Sequence, residues 1–498
     1  MKRWLAGSTA LLLLSAGVAA CDHASPPGAA VGPVAEAPTP PPAGDPPPAG
    51  DSLDDAGSAA YRVARSTPRE DRYYPDVGEP GFDALHYDLH LSWDPDTRHL
   101  EGSAAIAFRA TETAQEFQLD LGEPLEVTSV ELDGEEVGHR HEGKDLVVEA
   151  PVRAGTTHVL TVAYAGSPAP TEAPTMRSDF TTTGWTTTPE GEAWTMQEPY
   201  GAFTWYPVND HPSDKALYSF RISAPEEWVG VANGELRSRA VVDDRTVTEW
   251  ELDAPASSYL VTIAIGDLTM TEDETASGLP LTYWTPTGDQ TSLRRLEFTP
   301  EAVAWLEERL GPFPFDSLGS VVVDSDSAME TQTMITYGDT AYTLSKNVIV
   351  HEIAHHWYGD VVSPTDWRDM WMNEGMALYL AEGVFATERA GGDLDQLMDT
   401  WATVERGMRR AAGPPGAYDR RRFGDGNVYY GPALMWHELR KRLGEQRFWS
   451  MVRTWPTVHA MDGATRAQFL DWIERETGEE LTAFFDAWLE GRRQPRRR

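Results

Sequence analysis

The stretch HEIAH at residues 351–355 is followed, after eighteen intervening residues, by Glu374 in the stretch WMNEG at residues 371–375. On a helix of about 3.6 residues per turn, His351 and His355 project from the same face. Two imidazoles one turn apart predict a zinc site, and Glu374 on a second helix supplies a third ligand. Three protein ligands leave one coordination position open, which is typical of a catalytic zinc. Glu352 is then placed to act as a general base toward a water that the zinc activates.

The residues around this motif favour a metal site over an ordinary helix with two histidines. Positions 348–350, 353 and 354 are apolar, and so are 370–372 and 377–380 around Glu374. Both segments are therefore predicted to lie in the core, where unpaired histidines and carboxylates would be costly. One bound zinc ion per chain satisfies all of them.

Charge excludes one large class of partners. The formal net charge is −38, and the body of the chain contains no block of basic residues. This argues against nucleic acid as a partner. The exception is the basic end, residues 492–498, which we expect to be a solvated tail.

The N-terminus has the pattern of a targeting segment. Lys2 and Arg3 precede an apolar run, and small residues at 17–20 precede Cys21, the only cysteine. Residues 1–20 resemble a bacterial lipoprotein signal, so we expect Cys21 to carry lipid. The chain would then be anchored outside the cytoplasm, to a membrane of a bacterial cell envelope. The alternative is an ordinary signal peptide in which Cys21 is incidental. Residues 21–72 are rich in Pro and Ala and are predicted to form a disordered spacer.

The periodicity divides the rest of the chain into two parts. Residues 73–282 show short alternating segments typical of antiparallel strands, with hairpin turns expected at Asp133–Gly134 and Asn233–Gly234. Residues 283–491 change to helical periodicity, with a capping box expected at Thr465 and Gln468. We therefore predict a multidomain chain, in which a β saddle or sandwich precedes a mainly helical α+β domain.

Taken together, these motifs resemble the aminopeptidase N family of gluzincin zinc metallopeptidases, over residues 73 to 490. The resemblance implies a thermolysin-like catalytic domain, one Zn²⁺ per chain, and peptide substrates with a free N-terminus. It also implies that the long C-terminal helical domain of many members is absent here, so that the cleft is more open.

The resemblance adds a group of substrate-binding residues. The family motif G-A-M-E-N reads Ser-Ala-Met-Glu-Thr at residues 327–331. It implies that Ala328 and Met329 line the substrate, and that Glu330 holds its α-ammonium by a charge-assisted contact. Glu198, in the β domain, matches a second acid of the same pocket. The family's glutamine two residues earlier is Met196 here, so its contact is either lost or made by Gln197.

The last family element is a tyrosine that donates to the oxyanion. The run VYYGPAL at residues 428–434 is similar to the family's tyrosine segment. The alignment implies that Tyr429 is the donor, and Tyr430 takes this role if the register is shifted by one residue.

These residues predict a zinc aminopeptidase with Glu352 as the general base. Two alternatives remain open: a zinc endopeptidase with an open cleft, and a surface lipoprotein that binds peptides without cleaving them. Epoxide hydrolysis of the leukotriene hydrolase type is a third, more distant alternative. The sequence leaves the oligomeric state unknown.

Overall fold

The computed structural model describes residues 61–497. The predicted signal peptide, Cys21 and most of the predicted spacer lie outside the described residues. Within residues 61–497, no helix combines the length and the apolar character that crossing a membrane would require.

The N-terminal part is built from three sheets. Its main sheet has eight strands, and alternation along Phe82–Asp94 buries Leu89, Leu91 and Trp93 on one face. All neighbouring pairs are antiparallel except one inside the sheet, in which Phe82–Asp94 runs parallel to Lys215–Pro225. In order across the sheet, the strands are Glu235–Val242, Arg245–Ser257, Lys215–Pro225, Phe82–Asp94, His99–Ala110, Thr157–Gly166, Leu125–Leu132 and Glu135–Glu136. The five-stranded sheet contains Val229–Ala232, Ile263–Gly266, Ala193–Met196, Thr182–Thr187 and Thr171–Glu172, and the three-stranded sheet contains Phe117–Asp120, Asp145–Glu149 and Gly138–Glu142.

One of the two predicted hairpins is confirmed and the other is wrong. Asp133 and Gly134 both have positive φ, and they join strands that pair with each other. Asn233–Gly234 also makes a sharp turn, but it carries the chain from the five-stranded sheet to the eight-stranded one. The reason is that the Asn233 side chain is buried and donates to the carbonyls of Leu260 and Gln332.

The C-terminal part combines one sheet with most of the helices. Its five-stranded mixed sheet consists of Leu268–Glu274, Pro280–Pro286, Leu318–Val323, Met334–Gly338 and the short edge strand Ala328–Met329. The strands Val362–Pro364 and Asp462–Ala464 form a separate pair. The α-helices are Gln290–Leu296, Thr299–Leu310, Lys346–His355, Trp371–Leu378, Ala386–Ala390, Leu394–Ala412, Asn427–Leu443, Glu445–Val458, Arg466–Thr477 and Thr482–Leu489. The β-then-helical architecture agrees with the predicted fold class, and the capping box at Thr465 and Gln468 is confirmed. The boundary predicted at 282/283 stays a prediction, and it falls inside the strand Pro280–Pro286.

Two segments that we expected to be disordered or solvated are ordered by polar contacts. Residues 61–72 end the predicted spacer, yet Asp71 is buried and accepts from the backbone N–H of Trp367 at 2.7 Å. In the basic end, Gln494 donates to Glu405, and Arg497 donates to Glu438 at 3.0 Å. Composition indicates disorder or solvation in both places, but a backbone N–H elsewhere in the chain holds the first segment, and buried carboxylates hold the second.

The two parts meet across a buried aromatic and polar junction. Tyr74 and Tyr259 pack with Trp367 and Phe423 in a small apolar cluster. Beside it, the ammonium of Lys215 is fully buried and donates to the carbonyl oxygen of Asp360 at 2.5 Å. Burial lowers the pKa of Lys215 to about 8, although Asp360 opposes this shift.

Candidate active site

The helix Lys346–His355 and the helix Trp371–Leu378 position the predicted metal ligands. Ser345 caps the first helix by accepting from the N–H of Val348. The Nε2 atoms of His351 and His355 lie 3.2 Å and 3.4 Å from Oε2 of Glu374. One ligand atom from each of the three residues lies within 4.8 Å of the other two. The structure therefore brings together all three residues that the spacing predicted.

This donor set fits a zinc ion. Nδ1 of His355 donates to the carbonyl oxygen of Tyr358 at 3.2 Å, which leaves Nε2, the nitrogen that faces Glu374, as the atom that would bind a metal. Burial opposes ionisation of Glu374, but His355 and His351 outweigh it and hold the pKa of this carboxyl well below its usual value. Glu374 is therefore an anion, as a ligand must be. Two imidazoles and one carboxylate are a set found in catalytic zinc sites, where a fourth position stays open.

Glu352 lies in the same cleft and is almost fully buried. Oxygen or nitrogen atoms of Glu352, Glu330 and His355 lie within 4.8 Å of one another. Burial raises the pKa of Glu352 to about 8, with His351 opposing the shift. A carboxyl whose pKa is raised toward neutrality is suited to taking up and releasing a proton.

The edge strand Ala328–Met329 brings Glu330 to the cleft. Both Glu330 and Glu198 have a buried Oε1 atom without a hydrogen-bond partner, among the described residues. Oxygens of Glu198, Glu330 and Glu374 lie within 4.8 Å of one another. Burial is the main cause that raises the pKa of Glu330 and of Glu198, and the charge of Glu330 raises the pKa of Glu198 further. Unpaired buried acids at such short distances favour a cationic ligand between them.

Gln197 does not join this pocket. Its side-chain amide donates to the carbonyl oxygen of Ser258 at 2.7 Å and accepts from the indole N–H of Trp205 at 2.9 Å. Of the two alternatives, the structure therefore favours loss of the family's glutamine contact, because the β-domain core already uses both polar atoms of Gln197. Met196 instead contacts the hydroxyl of Ser325.

Of the two tyrosines, Tyr429 is the one at the metal site. Its hydroxyl donates to Oε1 of Glu374 at 3.1 Å. The ring of Tyr430 packs edge-on against Trp401, with centroids 5.1 Å apart. The geometry therefore supports Tyr429 rather than Tyr430.

Two residues that the sequence did not predict, Glu382 and Arg177, contact the site residues. Oε2 of Glu382 lies 3.7 Å from Nδ1 of His351, and Arg177 donates to the hydroxyl of Tyr429 at 3.1 Å. Helical spacing from Glu374 was a signal that could have found Glu382, because eight residues are slightly more than two turns. No local pattern marked Arg177, which lies in a loop of the β domain.

Models of known protein families match both parts of the chain. Residues 294–488 match the family model described as the Peptidase family M1 domain, and residues 83–260 match the Peptidase M1 N-terminal domain.

Curated relatives are identical to this chain at about a quarter of the aligned positions. Glutamyl aminopeptidase of Homo sapiens is 27% identical over 335 residues, which cover 61% of this chain and 34% of the relative. Glutamyl aminopeptidase of Sus scrofa is 26% identical over 369 residues, covering 68% of this chain and 39% of the relative. The chain thus spans between a third and two fifths of the length of these relatives.

Solved structures match over nearly their whole length. An M1 zinc metallopeptidase from Deinococcus radiodurans, a mutant bound to a Tyr-Ser-Ala substrate, superposes with a TM-score of 0.77 at 25% identity. The match covers 86% of this chain and 98% of that one. A structure described as a two-domain M1 zinc metallopeptidase bound to L-tryptophan gives the same TM-score, identity and coverage.

Proposed function

Because the chain belongs to peptidase family M1, we propose that it is a zinc-dependent aminopeptidase that removes N-terminal residues from peptides. The observation that carries the proposal is a pair of acids, Glu330 and Glu198, each with a buried Oε1 that has no hydrogen-bond partner among the described residues, beside a complete hydrolytic donor set. A hydrolytic zinc site has no need of two further unpaired carboxylates. A site that must hold the α-ammonium of a peptide does need them.

The chemistry divides among a few side chains. His351, His355 and Glu374 would hold the zinc ion, which would supply Lewis acidity to the scissile carbonyl and to the attacking water. Glu352 accepts the proton of that water and passes it to the leaving amine. Tyr429 donates a hydrogen bond from its hydroxyl to the developing oxyanion.

Binding of the ammonium sets the cleavage position. With the amine held by Glu330 and Glu198, and the strand Ala328–Met329 alongside the substrate, the first peptide bond is the one placed near Glu352 and the metal ligands. Because the amine and the first peptide bond are both held in place, hydrolysis is limited to the removal of a single residue.

The proposal is tested with a panel of aminoacyl reporters, each with a free and an acetylated N-terminus, with and without chelator. We expect cleavage of free-amine reporters only, complete loss on chelation and recovery with added zinc. Equal cleavage of blocked reporters, or of an internal peptide bond, would establish the endopeptidase alternative. Zinc-loaded protein that binds peptides and cleaves none of them would establish the binding-protein alternative.

We further propose that the chain is exported and anchored to a bacterial membrane through lipid on Cys21. The support is the order of charged, apolar and small residues before this cysteine. Expression with a labelled fatty acid tests it. The label should enter the wild-type protein and be absent from the Cys21→Ser variant, and an unlabelled wild type would refute the anchor.

A further inference from the structure

A loop of the β domain reaches into the catalytic cleft. It comprises residues 173–181, between the strands Thr171–Glu172 and Thr182–Thr187. The carbonyl of Pro174 accepts from the N–H of Phe423 at 2.9 Å, and the hydroxyl of Thr175 donates to the carbonyl of Phe423 at 2.7 Å. These bonds fasten the loop to the segment that immediately precedes the helix Asn427–Leu443, which carries Tyr429.

Arg177 projects from this loop and is held from several sides. Nε of Arg177 donates to Asp179 at 3.0 Å, and Nη2 pairs with the other oxygen of the same carboxylate. The guanidinium lies 4.6 Å from the centroid of the Phe180 ring. A two-point contact with a carboxylate together with a stacked ring leaves the guanidinium little freedom to rotate.

The chain makes room for this arrangement at Gly424. Its φ is +67°, and a Cβ atom there would lie 3.3 Å from both Nη1 of Arg177 and Cζ of Phe180. Nη1 also donates to the carbonyl of Gly424, at 3.3 Å. A residue without a side chain therefore allows the guanidinium to pass close to the backbone on its way to the site.

The remaining donor of Nη1 points to Tyr429. The hydroxyl of Tyr429 accepts from Arg177 at 3.1 Å and donates to Glu374 at 3.1 Å. A phenol has one proton, so the bond from Arg177 occupies a lone pair, and the proton points to Oε1 of Glu374, on the side of the cleft where the metal ligands lie. Without Arg177, that lone pair would be free to accept from water, and the bond to Glu374 would hold the hydroxyl less firmly.

We propose that Arg177 is a positioning residue, supplied by the β domain, that fixes the hydroxyl of Tyr429 for donation to the oxyanion. The inference rests on the proposed function, since it assigns Arg177 to the same reaction. It also gives the β domain a second role in the site, besides supplying Glu198.

The test is a double-mutant cycle on the zinc-loaded protein with Arg177→Ala, Tyr429→Phe and the double variant, assayed on a free-amine reporter. Losing a bond from a charged donor should lower kcat of Arg177→Ala by about 10- to 100-fold, with KM changed by less than about threefold. Arg177→Lys should recover part of the loss, because its ammonium can still donate to the hydroxyl. Arg140→Ala is the matched control, because Arg140 pairs with Glu116 and Glu149 on the three-stranded sheet, and we expect it to behave as wild type.

The decisive comparison is the Tyr429→Phe background. If Arg177 acts through the hydroxyl, adding Arg177→Ala there should lower kcat by less than about twofold. An equal loss in both backgrounds, or no loss in either, would overturn the inference and leave the proposed function standing. A wild-type protein that cleaves no reporter would instead refute the proposed function. The urea unfolding midpoints of wild type, the two single variants and the double variant are then compared. Non-additive shifts of the midpoint support a direct coupling between Arg177 and Tyr429, and additive shifts overturn it.

Discussion

The Glu330→Gln variant tests whether one carboxylate restricts the enzyme to free N-termini. Glu330 is buried, and its Oε1 has no hydrogen-bond partner among the described residues, with Nδ1 of His355 at 3.8 Å. An ammonium in the cleft can therefore bind to this carboxylate. A hydrogen bond to a charged group contributes about 1.5–3 kcal/mol, which corresponds to a loss of about 10- to 150-fold in kcat/KM for free-amine substrates. Glutamine keeps the shape of the side chain and removes a charge that lies close to Glu198 and Glu374. The fold should therefore be as stable as wild type, or more stable.

The assay compares kcat/KM for a free-amine reporter and for its acetylated counterpart, in wild type and variant. The acetylated reporter makes no ion pair with Glu330, so its kcat/KM should change little and the ratio between the two reporters should fall by the same 10- to 150-fold, roughly. Glu126→Gln, at an exposed position of the strand Leu125–Leu132, is the control for loss of one acidic charge. An unchanged ratio in Glu330→Gln would show that another group recognises the amine, and would refute this reasoning.

Three further outcomes are expected. Glu352→Gln should keep its zinc content, because Glu352 is not a ligand, and should lose about 10²- to 10⁴-fold in kcat; wild-type turnover, or a lost metal, would contradict its role as base. Removing zinc should lower the melting temperature, because the metal binds only the folded arrangement of His351 and Glu374; scanning calorimetry with and without chelator measures this, and unchanged curves would argue against the site. Burial lowers the pKa of His211 from 6.5 to about 3, so between these values the unfolded chain binds a proton that the folded chain does not. Stability should therefore fall as pH falls from 6.5, by about 1.4 kcal/mol per unit from this group at most; His211→Asn should flatten the dependence of the urea midpoint on pH, and an unchanged slope would exclude His211 as a source.

The metal ligands could be predicted from sequence because helix geometry fixes which residues share a face. The spacing of His351 and His355 was sufficient to predict that both bind the metal. The apolar residues around Glu374 indicated that it, too, is buried. Arg177 could not be predicted, because it meets Tyr429 through a loop that belongs to the other domain. Asn233–Gly234 shows a different limit: the pair indicates a sharp turn, but pairing of the flanking strands depends on contacts made far along the chain.

In the proposed function, the site draws on both parts of the chain. The three metal ligands and Glu352 lie on two neighbouring helices of the C-terminal part, whereas Glu198 and Arg177 come from the β domain. Lys215, buried at the junction, is bound to a carbonyl that follows the first metal helix by only a few residues. A buried ammonium is costly when it lacks its hydrogen-bond partner, so the junction favours the one docked alignment that keeps this carbonyl beside Lys215. In the proposed function, that alignment sets the distance from Glu198 to the metal ligands, and this distance helps to determine which peptide bond is cut.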